Sequence, residues 1–445
     1  MINFFMEKSI SNNQKGYIVP ISIIAGLFFI FGFVTWINGS LIPFMKSICE
    51  LTETQAYLVA SASYISFIVM ALPASYLLKK IGYKKGMSIG LLIMCVGALV
   101  FIPAAASRTY TYFLSGIFIM GAGMTILQTA SNPYITLIGP KESAAKRISI
   151  MGICNKVAGM LGSAIFGALL LSGITETKEK IELATELEKG ALLDTMADSV
   201  VMPYVVMAVI LFILGVLILK APLPEIEAEG LQLENDTGTT KTSIFQFPHL
   251  WLGVIALFVY VGAEVIAGDT IINYGLSLGI PAEEASFFTS FTLGAMVGTY
   301  LLGVLLIPKV MSQGTALKIS ALLGVVLSLG ILFTDGYASV LFVAALGIAN
   351  ALVWPAIWPL ALDGLGKFTK TASALLIMAI AGGAVIPPLY GLLVDGKKHA
   401  LILEGLDKAL AGAQAATSQY WILIPCYLVI FYFAMWGHRI GLNKS

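Results

Sequence analysis

The chain has little charge for its length. Only 11% of its 445 residues are charged, against roughly 25% in an ordinary soluble domain, while 58% are hydrophobic. A mean hydropathy of +0.90 is incompatible with a water-exposed surface and excludes a soluble enzyme. The 26 basic and 25 acidic residues nearly cancel, so no charge imbalance points to nucleic acid. These figures indicate an integral membrane protein.

Cysteine, histidine and nucleotide-binding motifs are also scarce. Cys49, Cys95, Cys154 and Cys426 are widely spaced and form no C-x-x-C pair, which argues against a disulfide framework or a thiolate metal site. The three histidines lie away from the middle of any long apolar run, so a histidine proton relay is disfavoured. The sequence has no Walker-type loop and no H-E-x-x-H motif, so we expect no ATP-driven pumping, no metal and no cofactor.

Twelve apolar runs are long enough to cross a bilayer core of about 30 Å as helices. They are continuous rather than alternating, which favours an all-α membrane protein over a barrel. The predicted spans are 18–45, 56–78, 86–105, 109–138, 148–173, 200–221, 249–278, 285–307, 315–334, 338–362, 372–395 and 419–437.

The distribution of lysine and arginine predicts the orientation of these spans. A cytoplasmic N-terminus places 17 of the 26 basic residues inside, 8 outside and Lys156 within a span, as the positive-inside rule requires. Both termini are then cytoplasmic. The predicted units are a cytoplasmic N-terminal segment (1–17), a six-helix bundle (18–221), a cytoplasmic linker (222–248), a second six-helix bundle (249–437) and a cytoplasmic tail (438–445).

Weak internal similarity relates the two halves. Gly159 and Gly167 in the fifth span repeat as Gly383 and Gly391 in the eleventh, and the segments that end at prolines 133 and 355 repeat with almost the same offset. In the first and seventh spans, N-G-S (38–40) aligns with G-D-T (268–270). Such repeats are common in transporters, where interrupted helices at equivalent positions mark the binding site.

Clustered prolines predict where the middle of the membrane is polar. Pro133, Pro355, Pro359, Pro387 and Pro388 would each free a backbone carbonyl at membrane depth. Freed carbonyls are tolerated where neighbouring groups or a water-lined cavity satisfy them. We therefore expect a central polar cavity, although the glycines near it also suit plain helix packing.

Four segments resemble a known family: FFIFGFVTWINGSLIPFMK (28–46), LQTASNPYITLIGP (127–140), RISIMGICNKVAG (147–159) and YVGAEV (260–265). With twelve spans in two halves, the chain resembles the major facilitator superfamily and, within it, the glucose/galactose permease branch of the fucose–galactose–glucose:proton symporter family. The resemblance runs from about residue 18 to about residue 437. It implies the major facilitator fold, with two pseudo-symmetric six-helix halves and a sugar site between them.

Two departures from the family pattern matter. The superfamily motif G-x-x-x-D-R-x-G corresponds to SYLLKKIG (75–82), with Lys79 in place of the acid, as in the fucose-type permeases. Proton-coupled fucose permeases carry an Asp in the first span and a Glu in the fourth. The aligned residues here are Gly39 and Gln128, neither of which titrates, so this chain lacks those two coupling carboxylates.

Three ionisable residues lie inside predicted spans: Glu264 and Asp269 in the seventh and Lys156 in the fifth. A charge at the bilayer centre costs roughly 3 kcal/mol even on mild scales, so such residues usually face a bundle interior or a cavity. They are our candidates for ion coupling, and structural ion pairs or positions near the membrane surface are the alternatives. Asp269 aligns with Gly39 across the repeat, so we hypothesise that the coupling acid has moved between halves.

Sugar recognition requires fixed donors and acceptors with aromatic faces, and amides supply both without a charge. Asn155 matches a position that the resemblance associates with sugar binding, and Glu264 is also a candidate. For the aromatic residues, anchoring at the membrane interface is the alternative role. The remaining candidates are Asn38, Gln128, Asn132, Asn273, Asn350, Trp36, Tyr260 and Trp354.

Together these features predict a secondary active transporter that imports a neutral hexose such as glucose or galactose across the inner membrane. Its partners would be the sugar, H⁺ or Na⁺ and the lipid bilayer, and we expect a monomer. An uncoupled facilitator remains open, as does transport of fucose or N-acetylated sugars. A membrane enzyme would need clustered His, Asp or Glu in an interfacial loop, and a sugar sensor would bind without flux.

Overall fold

The structure, a computed structural model, describes residues 2–137, 144–171, 174–223, 242–307 and 310–442. Every regular element in these ranges is a helix, as predicted. Part of the predicted linker between the halves lies outside the described residues.

The helices of the N-terminal half are α1 (Ile2–Trp36), α2 (Asn38–Ile48), α3 (Glu53–Leu99), α4 (Phe101–Ser107), α5 (Tyr110–Leu137), α6 (Ala144–Leu171), α7 (Ile174–Leu183), α8 (Glu186–Asp198) and α9 (Val201–Lys220). Those of the C-terminal half are α10 (Pro248–Asp269), α11 (Ile271–Ser277), α12 (Ala282–Ala285), α13 (Phe288–Leu306), α14 (Gln313–Leu332), α15 (Gly336–Asn350), α16 (Val353–Leu362), α17 (Thr369–Met378), α18 (Gly382–Leu403), α19 (Lys408–Ser418) and α20 (Leu423–Met435).

Eleven stretches of the described chain are long and apolar enough to cross a membrane, and one of them covers two predicted spans. That stretch, Glu53–Ser107, turns back at Gly82, whose φ of 78° and ψ of 169° are not helical. Only glycine adopts this region of backbone space without strain. Gly82 closes the SYLLKKIG motif, so the second and third predicted spans meet at a turn of one residue.

Polar connections between spans contain helices of their own. Helices α7 and α8 lie between the fifth and sixth predicted spans, and α19 lies between the eleventh and twelfth. A capping box formed by Thr185 and Glu188 caps the N-terminus of α8, and the Asp407 carboxylate caps the N-terminus of α19. The first helix starts earlier than the first predicted span, because α1 is already helical at Ile2.

Helix interruptions occur in both halves but not at every expected place. The first span breaks at Ile37 and the seventh at Thr270, close to equivalent positions of the repeat. The tenth breaks between α15 and α16, just before Pro355, and the eleventh passes through one 3₁₀ turn at Ala379–Ala381. The break expected at Pro133 is wrong, because α5 continues past it to Leu137.

The two halves meet along glycine-lined surfaces. The second-span part of α3 packs on α18, and α6 packs on α13. A Cβ at Gly167 would lie 2.7 Å from the Ser286 carbonyl oxygen, and one at Gly383 would lie 2.9 Å from the Tyr64 ring. The repeated glycines therefore allow close packing between the halves, as small residues do in membrane helices generally.

Replacing Gly82 by alanine should destabilise the fold, because an alanine at this backbone conformation is strained by about 1–3 kcal/mol. We expect a lower midpoint of thermal unfolding in detergent. The control is Gly190→Ala in α8, where a Cβ would have nothing within 4 Å. Equal midpoints for the two variants would contradict the role given to Gly82.

Candidate binding and coupling site

A buried ion pair joins the two halves within the predicted membrane region. Lys156 on α6 donates from Nζ to Oε1 of Glu264 on α10 at 2.7 Å, and the two side chains are only 10% and 12% exposed. The same ammonium lies 4.2 Å from the centre of the Trp36 ring, a cation–π distance. Trp36 in turn donates from Nε1 to Oδ1 of Asn155 at 3.5 Å. These four residues form what we call the central cluster.

Glycines bring the central cluster together. A Cβ at Gly32 would lie 2.0 Å from the Asn155 carbonyl oxygen, so α1 touches α6 through backbone atoms at this level. A Cβ at Gly159 would lie 2.4 Å from the Trp36 ring. The absence of side chains at both positions leaves the room in which Trp36 lies over Lys156 and beside Asn155.

Buried tyrosines lie near the central cluster. Tyr260 is one turn before Glu264 on α10, and Tyr300 packs in the same apolar cluster as Trp36. Tyr427 donates to Oδ1 of Asn350 at 2.9 Å, and the next residue, Ala351, packs in that apolar cluster as well. The sequence indicated Tyr260 and Asn350 but missed Tyr300 and Tyr427, because tyrosines within apolar runs resemble interfacial anchors.

Asp269 is fully buried at the end of α10. Neither carboxylate oxygen has a hydrogen-bond partner among the residues that the structure describes. Glu264 lies five residues earlier on the same helix, and Lys156 of the other half is paired with it. Because Lys156 is already paired with Glu264, the geometry accommodates Asp269 as a neutral carboxylic acid, since an unpaired charge there would be costly.

The position aligned with the missing first-span acid packs against Thr289 and the carbonyl of Gly268, the residue before Asp269. A Cβ at Gly39 would lie 2.4 Å from Oγ1 of Thr289 and 3.2 Å from the Gly268 carbonyl oxygen. Thr289 donates to that carbonyl at 2.6 Å. The site thus has no room for a first-span side chain, and the buried carboxyl comes from the seventh span.

Three candidates of the N-terminal half lie away from the cluster. Gln128 lines a narrow crevice with Leu27, Phe31 and Ser131. Asn38 is buried beside a second narrow crevice, which also lies within this half. Asn132 is half-buried on α5, one turn beyond Gln128.

Two candidates of the C-terminal half are likewise elsewhere. Asn273 is buried among Lys46, Glu53 and Tyr57, at the point where α2 ends and α3 begins. Trp354 stacks on Trp358 with ring centres 5.5 Å apart. The structure therefore brings together Trp36, Asn155, Lys156, Tyr260 and Glu264, with Asn350 attached through Tyr427, and leaves the other amides apart.

The middle of the molecule is packed in this conformation rather than open. The central cluster and Asp269 are at most 12% exposed, so the expected polar cavity is filled by side chains at this depth. Buried amide groups of Asn155 and Asn350 still have donor nitrogens without a partner in the described part of the chain. Unpaired buried donors are rare in proteins, and each of these two amides could be satisfied by a bound water or by a polar ligand.

Comparison with known proteins identifies the family that shares this architecture. The family model of the Major Facilitator Superfamily matches residues 24–388. The chain is 33% identical over 392 residues to the glucose/galactose transporter of Brucella abortus biovar 1 (strain 9-941), covering 86% of this chain and 90% of that protein. It is 27% identical over 446 residues to the L-fucose-proton symporter of Escherichia coli (strain K12), covering 97% and 96%.

A crystal structure of the major facilitator superfamily transporter FucP in the outward conformation superposes with a TM-score of 0.70 at 26% identity, covering 96% of this chain and all of that one. The chain belongs to the major facilitator superfamily, in the branch that contains the glucose/galactose transporters and L-fucose-proton symporters. The predicted fold and family are confirmed, and the chain is a multi-pass membrane protein.

The packing at Gly39 is testable. Gly39→Ala should lower the thermal midpoint, because overpacking against Thr289 costs about 1–3 kcal/mol. Adding Thr289→Ala removes the clashing oxygen and should restore part of the loss. Gly26→Ala, in the same span with nothing within 4 Å of its Cβ, is the control. A Gly39→Ala protein as stable as the parent would refute the close approach.

Proposed function

We propose that the protein imports a neutral hexose of the glucose or galactose type across the inner membrane by alternating access, with both termini cytoplasmic. The observation that carries the proposal is the central cluster, an ion pair between the halves with an aromatic face and unpaired amide donors beside it. A sugar hydroxyl bonds to amides and carboxylates of this kind, and its C–H edges pack on indole. The names of the relatives support the substrate class.

Proton coupling through Asp269 is the second part of the proposal. A neutral Asp269 fits the packed conformation, whereas an ionised one fits a conformation in which water reaches it. The proton and the sugar then both bind more tightly to the same conformation. Binding of either ligand therefore raises the affinity of the protein for the other. The absence of titratable groups at Gly39 and Gln128 favours an uncoupled facilitator as the second candidate.

The direct test is uptake of radiolabelled glucose and galactose into proteoliposomes, with competing sugars and with imposed gradients. We expect accumulation above equilibrium when the outside is more acidic, and competition by other neutral hexoses. Equilibration without accumulation would identify a facilitator. Binding without any flux would identify a sensor and overturn the proposal.

Asp269→Asn should separate coupling from transport. The amide keeps the size of the side chain but carries no exchangeable charge, so accumulation driven by a pH gradient should be lost while counterflow between equal sugar pools continues. Asp335→Asn, at the exposed start of α15 without a side-chain cap, is the control. Full gradient-driven accumulation by Asp269→Asn would show that the coupling group lies elsewhere.

The ion pair gives a separate prediction. Lys156→Met or Glu264→Gln alone leaves a buried charge unpaired, which costs about 3–5 kcal/mol, and the double variant should recover most of that stability. Uptake should be lost in all three. The exposed pair Lys180–Glu176 is the control, since its neutralisation should leave the thermal midpoint nearly unchanged. Normal uptake by the stable double variant would make the central pair purely structural.

A further inference from the structure

At one end of the junction between the halves, a carboxylate of one half caps the N-terminus of a helix of the other half. The first N–H groups of α3 have no partner within the helix. Asp395, on α18 of the other half, accepts from the backbone N–H of Glu53 at 3.1 Å and from that of Thr54 at 2.8 Å. Thr54 also donates from Oγ1 at 2.6 Å. A negative charge here is further favoured by the helix dipole.

A second set of bonds crosses the same junction. Asn273, on α11, donates from Nδ2 to Oε2 of Glu53 at 2.6 Å and to the Tyr57 hydroxyl at 2.9 Å. Lys46, near the end of α2, pairs with Glu53 and donates to Oδ1 of Asn273 at 3.4 Å. Glu53 and Asn273 are only 6% and 4% exposed, so these bonds are shielded from water.

The backbones meet without intervening side chains at this point. A Cβ at Gly391 would lie 2.9 Å from Cα of Thr54 and 2.7 Å from the Tyr57 ring. About two turns deeper on both helices, Ser61 donates to the Ala384 carbonyl at 2.7 Å. Contacts this short exist only while the halves are closed at this end.

We propose that Asp395, with Gly391 beside it, is a gating latch that holds the periplasmic end closed and must release before the sugar site faces outward. Its assignment to the periplasmic side rests on the proposed orientation. Asn273, predicted to bind sugar, belongs to this latch. Loss of the Asp395 bonds therefore shifts the population toward the conformation open at this end, without any change in the central cluster.

The test measures accessibility beneath the latch and uses no sugar, so its result does not depend on the proposed substrate or coupling. Ser61→Cys is introduced after the four native cysteines have been replaced, and its reaction rate with a water-soluble maleimide is measured in nanodiscs. Asp395→Asn should raise the rate about tenfold, the shift expected from loss of one charge-assisted hydrogen bond. An unchanged rate in a folded protein would overturn the latch.

Asp407→Asn is the matched control. Asp407 also caps a helix, accepting from Ala409 and Leu410 N–H, and these bonds hold the pKa of its carboxyl below the usual range. That cap lies entirely within the C-terminal half, so its loss should leave the Ser61→Cys rate at the parental value. An increase equal to that of Asp395→Asn would mean that cap loss, not release of the halves, causes the effect.

A steric wedge tests the same latch if Asp395→Asn fails to fold. Gly391→Ala pushes a methyl group against the backbone of α3 and should also accelerate labelling, whereas Gly396→Ala, with nothing within 4 Å, should not. Equal labelling rates for the two alanine variants would contradict close contact at this end.

Discussion

The cost of burying charge in a membrane is the constraint on which this structure depends. Lys156 and Glu264 come from different halves, and neither is tolerable at this depth without the other. Their 2.7 Å contact therefore fixes how α6 and α10 face each other in this conformation. Any movement that separates the halves here must supply each charge with another partner, and water or a sugar hydroxyl is the available substitute.

Glycines determine how closely the helices pack along the rest of the junction between the halves. Gly32, Gly39 and Gly159 bring α1, α2 and α6 against neighbouring backbone or ring atoms, and Gly383 and Gly391 do the same for α18. The interruptions at Ile37 and Thr270 lie at the same level as Asp269. Close contact thus extends from the central cluster to the end where Asp395 caps α3, which is the arrangement of a transporter closed on one side.

Much of the fold followed from the sequence because length and apolarity suffice to identify membrane helices. The central cluster was also largely predictable, since Lys156, Glu264 and Asn155 are polar residues in apolar runs. The sequence did not show how deep in the membrane each polar side chain lies or which neighbour it faces. Gln128 and Asn38 line crevices within one half, and Asn273 belongs to the proposed latch. Tyr300 and Tyr427 were missed because a tyrosine in a span gives no sign of whether it anchors at the interface or lies at the centre. Pro133 did not break α5, because a proline removes a single backbone hydrogen bond and membrane helices tolerate that loss where neighbouring groups satisfy the freed carbonyl.

The central claim is that ionisable groups buried in the middle of the molecule, the Lys156–Glu264 pair and Asp269, carry proton-coupled sugar import. It is tested most directly by sugar-dependent proton entry into proteoliposomes that contain the parent protein and an internal pH-sensitive dye. The account predicts that adding glucose or galactose outside acidifies the interior without any imposed gradient. Sugar entry with no acidification would contradict it.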